Sequence, residues 1–268
     1  MIRISCQKIV RIHQDNKNLW DSSAQHWSVQ ENTFIPLYEK VLEQINLNPK
    51  HSIIDIGCGT GIFLMLASRF GCEITGIDLS QSAVDSAKER LPKGTFINGN
   101  METIEFANNT FDFVFGNNSF QYADDLHKTF LKVYRILKNM GSLLISVWGK
   151  PDECDSFSYF KVFNKFSNQP DNYTVPFNLS KEGEIESSVS NAGFKFGRKL
   201  TVTCQRYYPD TQTALTGILS SGPAKKAINY SSYDKVKQAV LISIEKFKKK
   251  DGSINMYNNF ILAEGIKI

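Results

Sequence analysis

The stretch Ile53-Ile54-Asp55-Ile56-Gly57-Cys58-Gly59-Thr60-Gly61 decides how the rest of the chain is read. A short apolar run ends in an acid, enters three glycines spaced G-x-G-x-G, and passes into a helical pattern from Ile62 to about Phe70. A strand, glycine turn and helix in that order present a ligand site at the strand's carboxyl end. Glycine permits the tight turn and lets backbone come close to the ligand. The spacing departs from the G-x-G-x-x-G of pyrophosphate-binding dinucleotide folds. Asp55 beside the loop repels a diphosphate and suits a cationic ligand. The next acid, Asp78, ends a second predicted strand at Glu73–Ile77, within Gly76-Ile77-Asp78-Leu79-Ser80 and 17 residues after Gly61. That is close to the separation of an acid that takes ribose hydroxyls. The plainer role for Asp78 is a charge at a helix N-terminus.

Working outward, short apolar runs alternate with helical patterns up to about residue 150, which predicts an α/β fold with a mostly parallel sheet. A first helix runs from Thr33 to Ile45, and the strand Ser52–Ile56 follows Pro49. Ser80 is a good N-cap for a helix that stops at Leu91, before Pro92. Further strands are predicted at Thr95–Ile97, Phe111–Phe115 and Ser142–Val147, with a helix at Leu126–Leu137 between the last two. After Pro151 the pattern loosens into an aromatic-rich stretch, 151–177, then a helix at Lys181–Asn191. Strands at Lys199–Tyr207 and Asn255–Gly265 are expected to close the otherwise parallel sheet as two antiparallel strands. The division expected is 1–48 as N-terminal extension and lid helix, 49–150 as ligand-binding core, and 151–268 as cap plus final strands.

Composition narrows the classes. Of 268 residues 41% are apolar and 22% charged, with a net charge of +4, which excludes a disordered chain. No apolar run approaches the roughly 20 residues that cross a bilayer. Five scattered cysteines (Cys6, Cys58, Cys72, Cys154, Cys204) show no C-x-x-C pair, so neither a disulfide framework nor a metal site is expected. A reducing compartment, the cytoplasm, fits best. Met1–Gln14 is basic and reads as an extension without the apolar centre of a secretory signal. From Lys225 to Lys250 eight lysines stand against Asp234 and Glu245. Val236, Val240, Leu241, Ile244 and Phe247 recur between them at helical spacing, so this is read as a solvated helix face. A nucleic-acid partner is not expected.

In order, Asp55–Gly61, Asp78, Gly99-Asn100-Met101-Glu102 and Phe111-Asp112-Phe113-Val114 resemble the class I S-adenosylmethionine-dependent methyltransferases. The closer resemblance is to their small-molecule branch, which includes the ubiquinone/menaquinone-type enzymes. Arg135-Ile136-Leu137-Lys138-Asn139-Met140-Gly141 resembles that family's R-x-L-K-P-G-G turn, and Trp20–Trp27 its N-terminal W-D-x-x-A-x-x-W/Y segment. The resemblance covers about residues 18–150. It implies a Rossmann-like class I fold: a seven-stranded, mostly parallel sheet with helices on both faces and a helical cap. It implies S-adenosylmethionine as cofactor and S-adenosylhomocysteine as product.

Carried over residue by residue, the resemblance passes Gly57, Cys58, Gly59 and Gly61 under the cofactor's methionine portion, with Asp55 helping to hold the ammonium. Asp78 takes the ribose hydroxyls, Leu79 packs on the adenine, and Met101 flanks its other face. Asn100 stands where the family usually has Asp accepting from the adenine amino group, and its amide oxygen still accepts. Asn117 lies near the methyl group, and Trp27 anchors the lid over the cofactor.

Catalytic candidates are weaker. Gln121 and Tyr122, in Phe120-Gln121-Tyr122 after the fourth strand, would orient the substrate, with lid packing as the plainer role. His26 is a candidate base and His127 a surface residue. Tyr207 and Tyr208 are candidates to face the acceptor. The function read from all this is methyl transfer to a small-molecule acceptor. The alternatives are a macromolecular or carrier-protein-bound acceptor, or cofactor binding without catalysis.

Overall fold

The computed structural model describes residues 29–168 and 175–268. Strands β1 (Ser52–Ile56), β2 (Glu73–Asp78), β3 (Thr95–Asn98), β4 (Phe111–Asn117), β5 (Leu137–Trp148), β6 (Lys195–Tyr208) and β7 (Ile254–Ile266) form one sheet in the order β3-β2-β1-β4-β5-β7-β6. β1 to β5 run parallel, joined by helices α1 (Ile35–Glu43), which precedes β1, α2 (Ile62–Ala67), α3 (Gln81–Arg90) and α4 (Leu126–Ile136). Only β7 is antiparallel, pairing with β5 on one side and β6 on the other. This corrects the expectation of two antiparallel strands: β6 lies outside β7 and so points the same way as the parallel strands.

Period-two alternation in the strands divides the core into two layers. Ile53, Phe115 and Leu144 face α1, α2 and α3, whereas Ile54, Ile56, Val114, Leu143 and Ile145 face the other layer. α4 supplies Phe130, Val133 and Ile136 to that second layer at helical spacing, all fully buried, and α6 (Glu184–Asn191) adds Ile185 and Val189. Each such side chain contributes about 1.5–3 kcal/mol by leaving water. β1 is wholly buried, as a strand covered on both faces must be.

Local signals explain the boundaries. Ser80 Oγ accepts from Ala83 N and opens α3 as expected. Asp125 does the same for α4, accepting from Lys128 N. α2 ends at Ala67 and finishes as a single 3-10 turn over Ser68–Phe70, where Gly71 takes φ 74°. The segment read as a turn at Leu137–Gly141 is instead the start of β5, with Met140 at φ 63° and 73% exposed.

After β5 the chain builds a helical layer over the sheet's first face. α5 (Phe157–Phe166) packs against α8 (Gly222–Tyr230) and α9 (Tyr233–Ile244), and α7 (Thr211–Leu219) joins them. The lysine-bearing segment is α8, α9 and the chain after them. Val236, Val240 and Ile244 are fully buried, while Lys235, Lys246, Lys248, Lys249 and Lys250 are exposed. Among the described residues no helix is long and apolar enough to cross a membrane, and no group of three or more His, Cys, Asp and Glu is arranged to hold a metal. Cys58, Cys72, Cys154 and Cys204 are buried free thiols; Cys6 lies outside the described residues.

Candidate functional site

A cleft enclosing about 1360 Å³, part of it open to solvent, runs along the carboxyl ends of β1, β2 and β4. β1 lies between β2 and β4 in the sheet, so the chain leaves it in opposite directions and opens a crevice there. Gly57 and Gly59 of the glycine loop, Asp78 and Leu79 at the end of β2, and Asn100 and Met101 after β3 line one part of it. Asn117 and Tyr122, from the end of β4 and the turn beyond, line it as well.

The loop is fastened to β2 by three hydrogen bonds. Gly57 N and Cys58 N donate to Ile77 O at 2.8 and 3.1 Å, and Gly59 N donates to Asp78 Oδ2 at 2.9 Å. The other carboxylate oxygen of Asp78 accepts from Ser80 N at 2.9 Å. Asp78 therefore fixes the loop's height against the neighbouring strand while facing the cleft. Gly57 sits at φ 80°, and a Cβ there would meet Ser119 Cβ at 2.5 Å, so this position admits only glycine.

Other sequence-predicted residues stand behind the lining. Asp55 is 3% exposed, and its Oδ1 is buried with no hydrogen-bond partner. Cys58 turns its thiol back against Gly76 and Phe96. Gly61, at φ 82°, begins α2 and packs against Ala87. Gln121 is buried, its Nε2 donating to Asn118 Oδ1 at 3.3 Å. Asn117 lines the cleft with its amide already committed: Nδ2 donates to the Tyr38 hydroxyl at 3.1 Å, and Oδ1 accepts from Ser146 Oγ at 2.8 Å. Asn100 Oδ1 accepts from Glu102 N at 2.8 Å and caps the turn after β3. His127 is exposed on the first turn of α4. His26 and Trp27 lie outside the described residues, as does the rest of the Trp20–Trp27 segment.

Two charged groups of this region carried no sequence signal. Glu31, 3% exposed, accepts at Oε2 from Thr60 Oγ1 at 2.5 Å and from Thr60 N at 3.3 Å. Burial pushes its carboxyl up to about 7, against the pull of the Thr60 hydrogen bonds and the Arg90 charge. Burial, then the charges of Glu31 and Asp78, hold Asp55 well above the usual carboxylate range. Asp55 thus lies within reach of the charges of both Glu31 and Asp78, a field that favours a cation. The second missed residue is Arg206, on β6 at the far part of the cleft. Of the two tyrosines expected there, Tyr208 is buried, donating to Gln30 Oε1 at 2.5 Å, and Tyr207 is 55% exposed on the opposite face. Strand alternation from Cys204 puts Arg206 and Tyr208 on one side and excludes Tyr207 from it.

The far part is walled by Phe34, Trp148, Tyr159 and Phe160. Trp148 stacks edge-on with Phe34 and Phe160, at centroid separations of 6.3 and 5.4 Å. None of the lysines from 225 to 250 lines the cleft.

Residues 54–145 match the family model of a methyltransferase domain. The chain is 29% identical over 199 residues to a malonyl-[acyl-carrier protein] O-methyltransferase of Priestia megaterium, spanning 69% of this chain and 70% of that protein. It is 32% identical over 183 residues to phosphoethanolamine N-methyltransferase 2 of Caenorhabditis elegans, spanning 58% of this chain and 42% of that protein. In fold it is similar to the crystal structure of the Bacillus YcgJ protein, with a TM-score of 0.59 at 19% identity, covering 86% of this chain and 97% of that one. The glycine loop, the acid after β2 and the β3-β2-β1-β4-β5-β7-β6 sheet, with the matched domain running through them, give this chain a methyltransferase domain over residues 54–145 within a Rossmann-like class I methyltransferase fold.

Proposed function

We propose that the chain transfers a methyl group from S-adenosylmethionine to a small-molecule acceptor and releases S-adenosylhomocysteine. The observation that carries this is one continuous cleft with two unlike halves. One is a glycine-and-acid half at the strand ends; the other is an aromatic half built by the first and last parts of the chain. When bound, S-adenosylmethionine supplies an electrophilic methyl on a sulfonium.

The residues present fit such a group. Gly57 and Gly59 line the cleft with backbone alone, and the acids Glu31, Asp55 and Asp78 favour its positive charge. Asp78 would take the ribose hydroxyls. Leu79 and Met101 would pack on the adenine, and Asn100 would accept from its amino group with the oxygen that also caps the turn. Asn117 would shape the pocket near the reacting methyl through its fixed amide. Gly61 and Cys58 would serve from behind, by loop shape and packing.

For the chemistry, the chain's task is to exclude water and align the acceptor. Phe34, Trp148, Tyr159 and Phe160 supply the dry wall, and Tyr122, which lines the cleft, would orient the acceptor. Gln121 would act through Asn118, as a positioning residue. On this reading residues 1–48 are the lid, 49–150 the cofactor core and 151–268 the cap. Gln30 and Phe34 come from the first part, and Tyr159, Phe160, Arg206, Ser221 and Pro223 from the last.

The test is transfer of tritium from methyl-labelled S-adenosylmethionine into extractable acceptors from a metabolite fraction. The expected result is labelled small-molecule product with an equal yield of S-adenosylhomocysteine. Label entering only protein or carrier-bound material would replace the small-molecule acceptor by a macromolecular one. No transfer despite cofactor binding would favour a non-catalytic role.

A further inference from the structure

Among the described residues that line the cleft, Arg206 is the only cation. It is 1% exposed, in β6 opposite Met256 of β7. Its Nη1 donates to the Tyr159 hydroxyl at 2.8 Å, and its guanidinium lies over the rings of Phe34 and Trp148, 4.8 and 4.7 Å from their centroids. Its Nε and Nη2 are buried and make no hydrogen bond of ordinary length, the Tyr208 hydroxyl interacting with the guanidinium only at longer range, and no ion pair with a described acid involves it.

A charged group buried with two donors unmet is costly, and native structures rarely leave one so. The two rings stabilise the cation through its faces. They leave the in-plane donors untouched. Nε–H and Nη2–H point in parallel along one edge of the guanidinium, the fork whose spacing matches the two oxygens of a carboxylate. Tyr159 holds the opposite corner, so the fork has a set direction. Ser221 and Pro223, at the amino end of α8, line the same cleft, and a helix start favours negative charge.

The geometry points to an acceptor that carries a carboxylate, bound side-on to Nε and Nη2 of Arg206. This assignment rests on the methyltransferase reading of the same cleft and names the acceptor class that reading leaves open. A carboxylate is favoured over a phosphate because one guanidinium balances one negative charge, and Asp78 and Glu102 line the same cleft and would repel a dianion. Arg206 is then a binding and specificity residue: an acceptor lacking the carboxylate leaves the fork unpaired, which is the costly case.

The test uses the whole chain saturated with S-adenosylhomocysteine. Hexanoate, octanoate, cinnamate and 4-phenylbutyrate are titrated by calorimetry, each against its primary amide, with phenyl phosphate as a separate arm. At least one carboxylate is expected to bind tenfold or more tightly than its amide. Arg206→Met should erase that preference while the affinity for S-adenosylhomocysteine stays unchanged. Arg206→Lys keeps the charge and loses the fork, so its preference should be intermediate; it carries the same test if Arg206→Met does not fold. Equal binding of acids and amides, binding of phenyl phosphate alone, no binding by any probe, or an unaltered preference in the variants would each overturn the carboxylate assignment. Failure of the unmodified chain to bind S-adenosylhomocysteine would instead count against the methyltransferase reading. The acid-over-amide comparison without it would still decide what Arg206 binds.

Discussion

Asp78→Ala is expected to weaken binding of both S-adenosylmethionine and S-adenosylhomocysteine by about 100-fold or more, with the sheet still folding cooperatively. A hydrogen bond to an ionised group is worth about 1.5–3 kcal/mol, and two ribose hydroxyls on one carboxylate double that. Each 1.4 kcal/mol is about tenfold in affinity. The substitution also frees Gly59 N and Ser80 N, so the loop that carries Gly57 keeps only its two backbone bonds to Ile77 O. Asp78→Asn keeps an acceptor oxygen and gives up the charge, and a loss of about tenfold is expected from it. Calorimetric titration with S-adenosylhomocysteine reads both variants, and wild-type affinity in Asp78→Ala would remove the ribose role.

The second large effect is on stability and its dependence on pH. Glu31 has its carboxyl pushed up to about 7 by burial, from an ordinary 4.5. In the window between those values the native state holds a proton that the unfolded chain has released, so native stability falls as pH rises through it. Below the window the burial costs nothing; above it the whole cost is felt. One pKa unit is worth about 1.4 kcal/mol, so the total is about 3 kcal/mol. Glu31→Gln removes the titration and keeps an oxygen for Thr60. Urea unfolding should find the two proteins within about 0.5 kcal/mol at pH 4.5, and the variant more stable by about 2–3 kcal/mol at pH 8. The same difference at both pH values would mean that Glu31 is not held protonated by its surroundings.

How far the fold was legible depended on whether its signal was local. β1 begins and ends where its apolar run does, and the Ser80 cap is where the side chain chemistry puts it. Gly57, Asp78, Asn100 and Met101 come from three separate strand ends, yet motif order alone gathered them, because parallel strands deliver their carboxyl ends to one edge of the sheet.

What depended on tertiary pairing was not legible. The place of β6 outside β7 follows from which edge of β5 is filled first, and no residue in either strand encodes that. Met140 occupies a left-handed position where the related turn has glycine. The chain accepts the strain because Met140 N donates to Lys267 O at 2.8 Å and a Cβ on Gly141 would strike Lys138 O at 2.8 Å. Arg206 is one of four cations on β6, with Lys195, Arg198 and Lys199: the strand alternates exposed and covered positions, and only the cover of Phe34, Trp148 and Tyr159 makes this one a buried charge. Glu31 is hidden for the same reason, since its burial is set by what packs around it.

The identity of the ligand in the glycine-and-acid half of the cleft decides every role assigned around it. Thermal unfolding of the purified chain with S-adenosylmethionine, S-adenosylhomocysteine and NAD in separate samples tests it most directly. A ligand at 100 times its dissociation constant stabilises the native state by about 2.7 kcal/mol, which for a chain of this size raises the midpoint by about 5–8 °C. The two sulfur compounds should each produce such a rise and NAD none. A rise with NAD and none with either sulfur compound would contradict the reading of the loop, of Asp78 and of everything placed around them.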